Sequence, residues 1–154
     1  MCTKINIFLI VTIAFFFLSC EKEDNQVNPI PDIRVNISIN ILTTPELQSA
    51  LQPKYIGSAN GQKVGYKGHG IYVTKINSNE FRAFDASCTL LSNDSNHSEI
   101  EEHLIQENNK LIVYCPKCKS KFNLLDGNVQ SGPAKEGLSE YRTAYSGNNL
   151  RIYN

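Results

Sequence analysis

The chain has 154 residues, of which 41% are hydrophobic and 19% are charged, proportions typical of a single folded domain. Its 15 basic and 15 acidic residues give a formal net charge of zero. A balanced chain offers no electrostatic footprint for a nucleic acid, so this class of partner is excluded.

The N-terminus carries an apolar run at residues 5–18, preceded by the positive charge of Lys4. This run is shorter than the roughly 20 residues that a membrane-spanning helix needs, and it is typical of a signal peptide; the alternative is an uncleaved anchor helix. It ends in Leu18-Ser19-Cys20, which resembles a bacterial lipobox. The resemblance implies that residues 1–19 are a lipoprotein signal peptide, and that Cys20 is lipidated and anchors the chain to a membrane outside the cytosol.

A polar segment follows the predicted lipidation site. Residues 20–32 are rich in polar residues and contain two prolines, so we expect a flexible tether. Within it, Lys22-Glu23-Asp24 resembles the signal that exports some Gram-negative lipoproteins to the cell surface; the alternative is a solvated start of the tether. We therefore expect an outer-membrane lipoprotein of a bacterial cell envelope, with surface exposure depending on this signal.

The next elements are short. Apolar and polar residues alternate over residues 35–41, the period of a half-buried strand. Pro45, with Thr44 as the cap, predicts a helical turn that Pro53 must end. The glycines between residues 57 and 70 lead into a strand rather than a helix, which predicts turns and bulges instead of a phosphate-binding loop.

The remainder of the chain predicts strands joined by turns. We expect hairpins between residues 71–76 and 81–85 and between residues 102–105 and 111–114, turns at 126–127 and 146–149, and a last strand at 150–153. No long helix or internal repeat is evident. The predicted fold class is all-β, as a small antiparallel sandwich or barrel.

Three cysteines carry the chemistry of this domain. Cys115-Pro116-Lys117-Cys118 lies between two predicted strands, and Cys88 follows an earlier one. The chain then continues through Ser120 and Phe122, an Asp126-Gly127 turn, Gly132-Pro133-Ala134, and finally Leu138 and Tyr141. This order resembles the second cluster-binding loop of the Rieske 2Fe–2S domain, and residues 80–88 resemble the strand that leads into the family's first loop. The resemblance implies a Rieske-like domain at residues 33–154, with two loops forming the site.

The resemblance also implies a ligand set that this chain only partly keeps. The family binds its cluster with C-x-H and C-x-x-H, and its role is electron transfer to or from a partner protein. Cys88 and Cys115 match the two cysteines, whereas Leu90 and Cys118 stand in the two histidine positions. Lys119 replaces the glycine that follows. Leucine cannot bind iron, so an ordinary cluster lacks a ligand.

Several alternatives for the site therefore stay open. His97 or His103 is a candidate fourth ligand to a variant 2Fe–2S cluster. The same three cysteines and one histidine also suit tetrahedral zinc. In a metal-free domain, Cys115 would pair with Cys118 or with Cys88 as a disulfide, and the fold would serve as a surface binding or structural module. A thioredoxin-like role is disfavoured, because that motif begins a helix.

The other motifs predict structural roles. Gly132-Pro133-Ala134 predicts a turn, Leu138 and Tyr141 predict packing in the core, and His69 has no partner motif. No Ser-His-Asp arrangement, paired carboxylates or nucleotide-binding fingerprint is found in the sequence. We therefore do not expect a stand-alone enzyme.

Overall fold

The computed structural model describes residues 30–31, 33–90, 102–108 and 111–154. In these ranges the chain forms β-strands and three 3₁₀ turns and contains no α-helix, which confirms the predicted all-β class. The turns are Ile41–Thr43, Pro45–Leu47 and Tyr66–Gly68. The strands are β1 (Asn36–Asn40), β2 (Lys54–Ile56), β3 (Ser58–Ala59), β4 (Gln62–Lys63), β5 (Ile71–Lys75), β6 (Phe81–Asp85), β7 (Ile105–Gln106), β8 (Ile112–Tyr114), β9 (Lys121–Asn123), β10 (Val129–Ser131), β11 (Glu140–Ser146) and β12 (Asn149–Tyr153).

The strands form a large sheet, a small sheet and one short ribbon. The large sheet has the order β1-β12-β11-β6-β5-β2, the small sheet has the order β10-β9-β8-β7, and β3 pairs with β4. Neighbouring strands pair in antiparallel fashion throughout these sheets. The predicted antiparallel architecture is therefore correct.

Two hairpins form as the turn signals predict. Strand β5 pairs with β6 from Ile71 opposite Asp85 to Lys75 opposite Phe81. Strands β11 and β12 meet at Gly147 and Asn148, whose φ angles are 55° and 66°. Such left-handed pairs match the twist of the flanking strands, and glycine and asparagine adopt them most readily.

The middle strands of the large sheet are buried on both faces. Along β5, Ile71 and Val73 face one hydrophobic core, whereas Tyr72 faces another. The first core lies on one face of the large sheet and contains Val35, Ile37, Ile41, Leu47, Val64, Ile71, Val73, Phe81, Ala83, Tyr141, Leu150 and Ile152. The second core joins the large sheet to the small one and contains Tyr72, Phe84, Ala86, Cys88, Leu104, Val113, Cys115, Phe122, Leu124, Ala134 and Leu138. Tyr141 and Leu138 are thus core residues, as predicted.

The structure differs from the sequence predictions in two short elements. The predicted helical turn is only the 3₁₀ turn Pro45–Leu47, and the Thr44 side chain makes no capping bond to it. The predicted pairing of residues 102–105 with β8 begins only at Ile105, opposite Tyr114. The reason is that the Leu104 N–H donates to the carbonyl of Ala86, 2.8 Å away, which ties this residue to the end of the large sheet.

The predicted N-terminal features fall outside this description. The signal peptide, Cys20 and residues 22–24 are not among the described residues. Within the described ranges, no helix has the length and apolar character needed to cross a membrane. Ile30, inside the predicted tether, is buried.

Candidate metal centre

The first cysteine loop, residues 86–90, follows β6 and is held by a buried carboxylate. Asp85 accepts hydrogen bonds from the backbone N–H of Ser87 at 2.8 Å and of Tyr66 at 2.6 Å. It also accepts one from the Tyr141 hydroxyl at 2.6 Å. Because these donors satisfy the buried carboxylate, they fix the backbone just before Cys88. Asp85 belongs to the stretch of residues 80–88 that resembles the strand before the family's first loop, but the sequence did not reveal its hydrogen-bond partners.

The second cysteine loop, residues 115–120, connects β8 to β9. The Cys115 N–H donates to the Ser120 carbonyl at 2.9 Å, and the Lys119 N–H donates to the Cys115 carbonyl at 3.0 Å. Lys119 closes the turn with a φ angle of 61°, a left-handed conformation that favours glycine. The predicted placement of the Cys-x-x-Cys motif between two strands is therefore correct, and the glycine-like conformation is kept by a lysine.

A third segment, the proline loop (residues 132–137), ties the two cysteine loops together. The Ala134 N–H donates to Ser120 Oγ at 3.0 Å in the second loop. The Thr89 hydroxyl, in the first loop, donates to the Glu136 carbonyl at 2.6 Å. Gly132 has a φ angle of 98° and packs so closely that a Cβ there would lie 2.4 Å from Ser120 Cα. The turn predicted at Gly132 is therefore a close backbone contact that only glycine allows.

The three loops bring three thiols together. The Sγ atoms of Cys88, Cys115 and Cys118 all lie within 4.8 Å of one another, and those of Cys88 and Cys118 are 3.6 Å apart. We call this group the three-thiol centre. Cys88 and Cys115 are buried and Cys118 is half-buried, and all three are thiols rather than disulfides. The Cys118 thiol donates to Ser120 Oγ at 3.1 Å.

Hydrogen bonds shift the pKa values of the two buried thiols, Cys88 and Cys115, in opposite directions. The hydrogen bond from Cys88 lowers the pKa of Cys115 to about 5, and backbone N–H groups of Cys118 and Lys117 add to this effect. The same bond, followed by burial, raises the pKa of Cys88. The hydrogen bond that Cys88 donates therefore favours the ionised form of Cys115. A thiolate surrounded by N–H donors is the form of cysteine that binds metals.

The residues in the histidine positions, and the candidate fourth ligands, do not join this group. Leu90 is half-buried and packs against the second core. The His103 ring stacks on Tyr55 with centroids 4.2 Å apart and planes at 17°, and burial lowers its pKa. Among the described residues, the side chains close enough to share a metal with Cys88 are the other two cysteines. His97 lies outside the described residues.

The remaining histidine has a structural partner that the sequence did not reveal. His69 Nδ1 lies 2.9 Å from Ser87 Oγ, next to the first cysteine loop. Its carbonyl accepts a hydrogen bond from the Tyr55 hydroxyl at 2.8 Å. Only the fold brings these residues together, because 18 positions separate His69 from Ser87.

A surface depression of about 390 Å³ lies on the large sheet and is lined by residues 80–82 and 140–143. Its charged side chains include Arg82, which pairs with Glu140 at 2.9 Å. No member of the three-thiol centre lines it. We therefore assign the chemistry to the thiols rather than to this depression.

The chain matches no protein-family model and no curated protein. Among solved structures, it is similar to the ferredoxin of carbazole 1,9a-dioxygenase from Nocardioides aromaticivorans, with 13% sequence identity and a TM-score of 0.44. The match covers 79% of this chain and 97% of the ferredoxin chain.

Proposed function

We propose that this chain is a membrane-anchored lipoprotein of the bacterial cell envelope whose Rieske-like domain binds metal through Cys88, Cys115 and Cys118. The observation that carries the proposal is the mutual approach of the three sulfurs to within 4.8 Å. Two separate loops supply them, and a third loop is hydrogen-bonded to both. Thiols that meet in this way from distant parts of a chain are typical of a metal site.

The unfavourable free energy of a buried thiolate without a nearby cation also supports the proposal. Cys88 and Cys115 are buried, and hydrogen bonding favours the ionised form of Cys115. A buried negative charge is unfavourable unless a counter-charge or hydrogen bonds compensate it. A bound metal cation supplies that charge and allows all three sulfurs to ionise together.

The Rieske-like character of the fold is supported by the order and packing of its motifs. The second cysteine loop joins adjacent strands, and the proline loop packs against its serine, Ser120. Lys119 keeps the left-handed conformation in the position where the family has glycine. We assign the chain no catalytic reaction of its own: the domain would bind a metal and serve as a structural module of the envelope.

The test of the metal centre is metal and sulfide analysis of the full chain, purified in detergent without oxygen. We expect bound metal in the wild-type chain and its loss in Cys115→Ser. Val129→Ala is the matched control, because Val129 packs against the second core but has no ligand atom. A wild-type chain with no metal of any kind would contradict the proposal. A disulfide would then be identified by fewer than three free thiols among Cys88, Cys115 and Cys118, counted by labelling and peptide mapping.

The membrane anchor is tested separately. We expect the full chain to incorporate a labelled fatty acid and to fractionate with membranes, and Cys20→Ala to abolish the labelling. Replacement of Lys22, Glu23 and Asp24 by neutral residues tests the export signal, through protease access to the domain in intact cells. Lipid labelling that persists in Cys20→Ala would contradict the proposed anchor.

A further inference from the structure

The three-thiol centre has the geometry of a site for one metal ion. A tetrahedral zinc with zinc–sulfur bonds of about 2.3 Å places its sulfurs about 3.8 Å apart. The Sγ atoms of Cys88 and Cys118 are 3.6 Å apart, and Cys115 Sγ lies within 4.8 Å of both. Only small movements of the side chains would bring all three sulfurs onto one ion.

The same geometry does not fit a dinuclear cluster. In a cluster held as the Rieske motif implies, Cys88 and Cys115 bind one iron, and the residue at position 118 binds the other. Ligands on different irons are separated by the width of the cluster. Here Cys118 approaches Cys88 to 3.6 Å, which leaves no room for a second iron and its bridging sulfides between them.

The position of the missing ligand leads to the same conclusion. Leu90 is packed against the second core and offers no donor atom, so the second iron would have at most Cys118 among the described residues. His103 is stacked on Tyr55 instead. One iron would thus be left without its pair of protein ligands.

We propose that Cys88, Cys115 and Cys118 bind a single thiophilic divalent ion of the zinc type, which links the large sheet to the small one. This inference rests on the proposed metal centre and names its ion class and its role. Cys88 lies in the loop that follows β6 of the large sheet, whereas Cys115 and Cys118 lie in the loop between β8 and β9 of the small sheet. A shared ion is therefore a structural cross-link between the two layers. A water molecule would complete its tetrahedral shell, because the described residues supply three ligands.

The experiment uses the full chain in detergent, stripped of metal and titrated with Co²⁺ without oxygen. We expect one cobalt per chain, intense visible bands of tetrahedral coordination, and thiolate-to-cobalt charge transfer. One equivalent of Zn²⁺ should bleach these bands. X-ray absorption of the zinc form should show sulfur neighbours near 2.3 Å and no second metal close by.

Two substitutions test whether the Co²⁺ spectrum arises from the three-thiol centre. Cys118→Ser should weaken Co²⁺ binding by more than the roughly 10–100-fold that loss of a second-sphere partner costs, and should reduce the charge-transfer intensity. Val129→Ala should keep both properties. Cys118 is half-buried, so its serine variant is expected to fold; if it does not, the X-ray absorption of the wild-type chain decides the question.

The failures of the two proposals are distinguishable. About two irons and two inorganic sulfides per chain would overturn the single-ion inference and leave the proposed metal centre intact. A cobalt spectrum unchanged in Cys118→Ser would also overturn it. A wild-type chain that binds neither iron, zinc nor cobalt would overturn both.

Discussion

The two hydrophobic cores of this protein are built differently. The first core consists of aliphatic and aromatic side chains and contains no cysteine among its described members. The second core includes Cys88 and Cys115, is flanked by Cys118, and lies between a six-stranded and a four-stranded sheet. The small sheet is made of strands of two or three residues, which bury little apolar surface each. The first core is thus expected to be stable through burial of its apolar side chains alone, whereas the second is expected to depend on the proposed metal.

Removal of the metal is the strongest way to test this contrast. We expect chelation to lower the free energy of unfolding by several kcal/mol, which is less than the roughly 10–16 kcal/mol of zinc-finger peptides because the first core forms without metal. Amide hydrogen exchange should accelerate in β8 and β9 and stay slow in β11 and β12. Equal loss of protection in both pairs of strands would contradict the contrast.

A matched pair of core truncations tests the same difference by mutation. Leu124 and Leu150 are both fully buried, the first in the second core and the other in the first core. Each change to alanine should cost about 2–5 kcal/mol. Only Leu124→Ala should also weaken metal binding, because it loosens the small sheet beside the second cysteine loop. Chemical denaturation and Co²⁺ titration of both variants measure the two effects. Equal metal affinities would show that the second core does not support the centre.

Tyr141 connects the two cores. Its ring belongs to the first core, and its hydroxyl donates a hydrogen bond to the Asp85 carboxylate, three residues before Cys88. Tyr141→Phe should lower stability by about 1–3 kcal/mol, because it removes one donor from a buried acceptor. Tyr145→Phe is the control, since Tyr145 lies on the same strand and its ring packs at a tilt against Phe81 instead, with centroids 5.1 Å apart. We also expect a modest decrease in Co²⁺ affinity for Tyr141→Phe only. The same loss of stability in both variants would show that the Asp85 bond has no special weight.

Lys119 tests the strain that remains in the second cysteine loop. Its φ angle of 61° costs a non-glycine residue about 1 kcal/mol, so Lys119→Gly should stabilise the chain by up to that amount. The greater freedom of glycine in the unfolded chain offsets part of this gain. Lys117→Gly, at an exposed position of the same loop, should not stabilise. Thermal unfolding of the two variants gives the comparison, and a destabilised Lys119→Gly would refute the strain argument.

The sequence predicted the parts of this structure that depend on local chemistry. The hairpin of β5 and β6 and the β11–β12 turn follow from alternation and from turn residues, which act over a few positions. The sequence named three cysteines as candidates, Cys115 and Cys118 from their local spacing and Cys88 from the family resemblance, and the structure brings their sulfurs together. The sequence did not predict how closely Cys118 approaches Cys88, nor the hydrogen bonds that Asp85 accepts from Tyr66 and Tyr141. These contacts depend on the packing of distant segments, which no local pattern encodes.

His103 gives the smallest expected effect and separates packing from metal binding. Its ring stacks on Tyr55, so His103→Gln should leave the metal content unchanged and lower stability only slightly. Burial lowers the pKa of His103, so the folded chain favours the neutral ring. Below the ordinary pKa of about 6.5 the unfolded chain gains a proton first, and stability should fall as the pH decreases. The variant should lose that part of the acid sensitivity, which pH-dependent denaturation measures.

The metal content of two histidine variants tests the predicted fourth ligands. A loss of metal in His103→Gln would show that His103 is a ligand after all, whereas a loss in His97→Gln alone would support His97 as the fourth ligand.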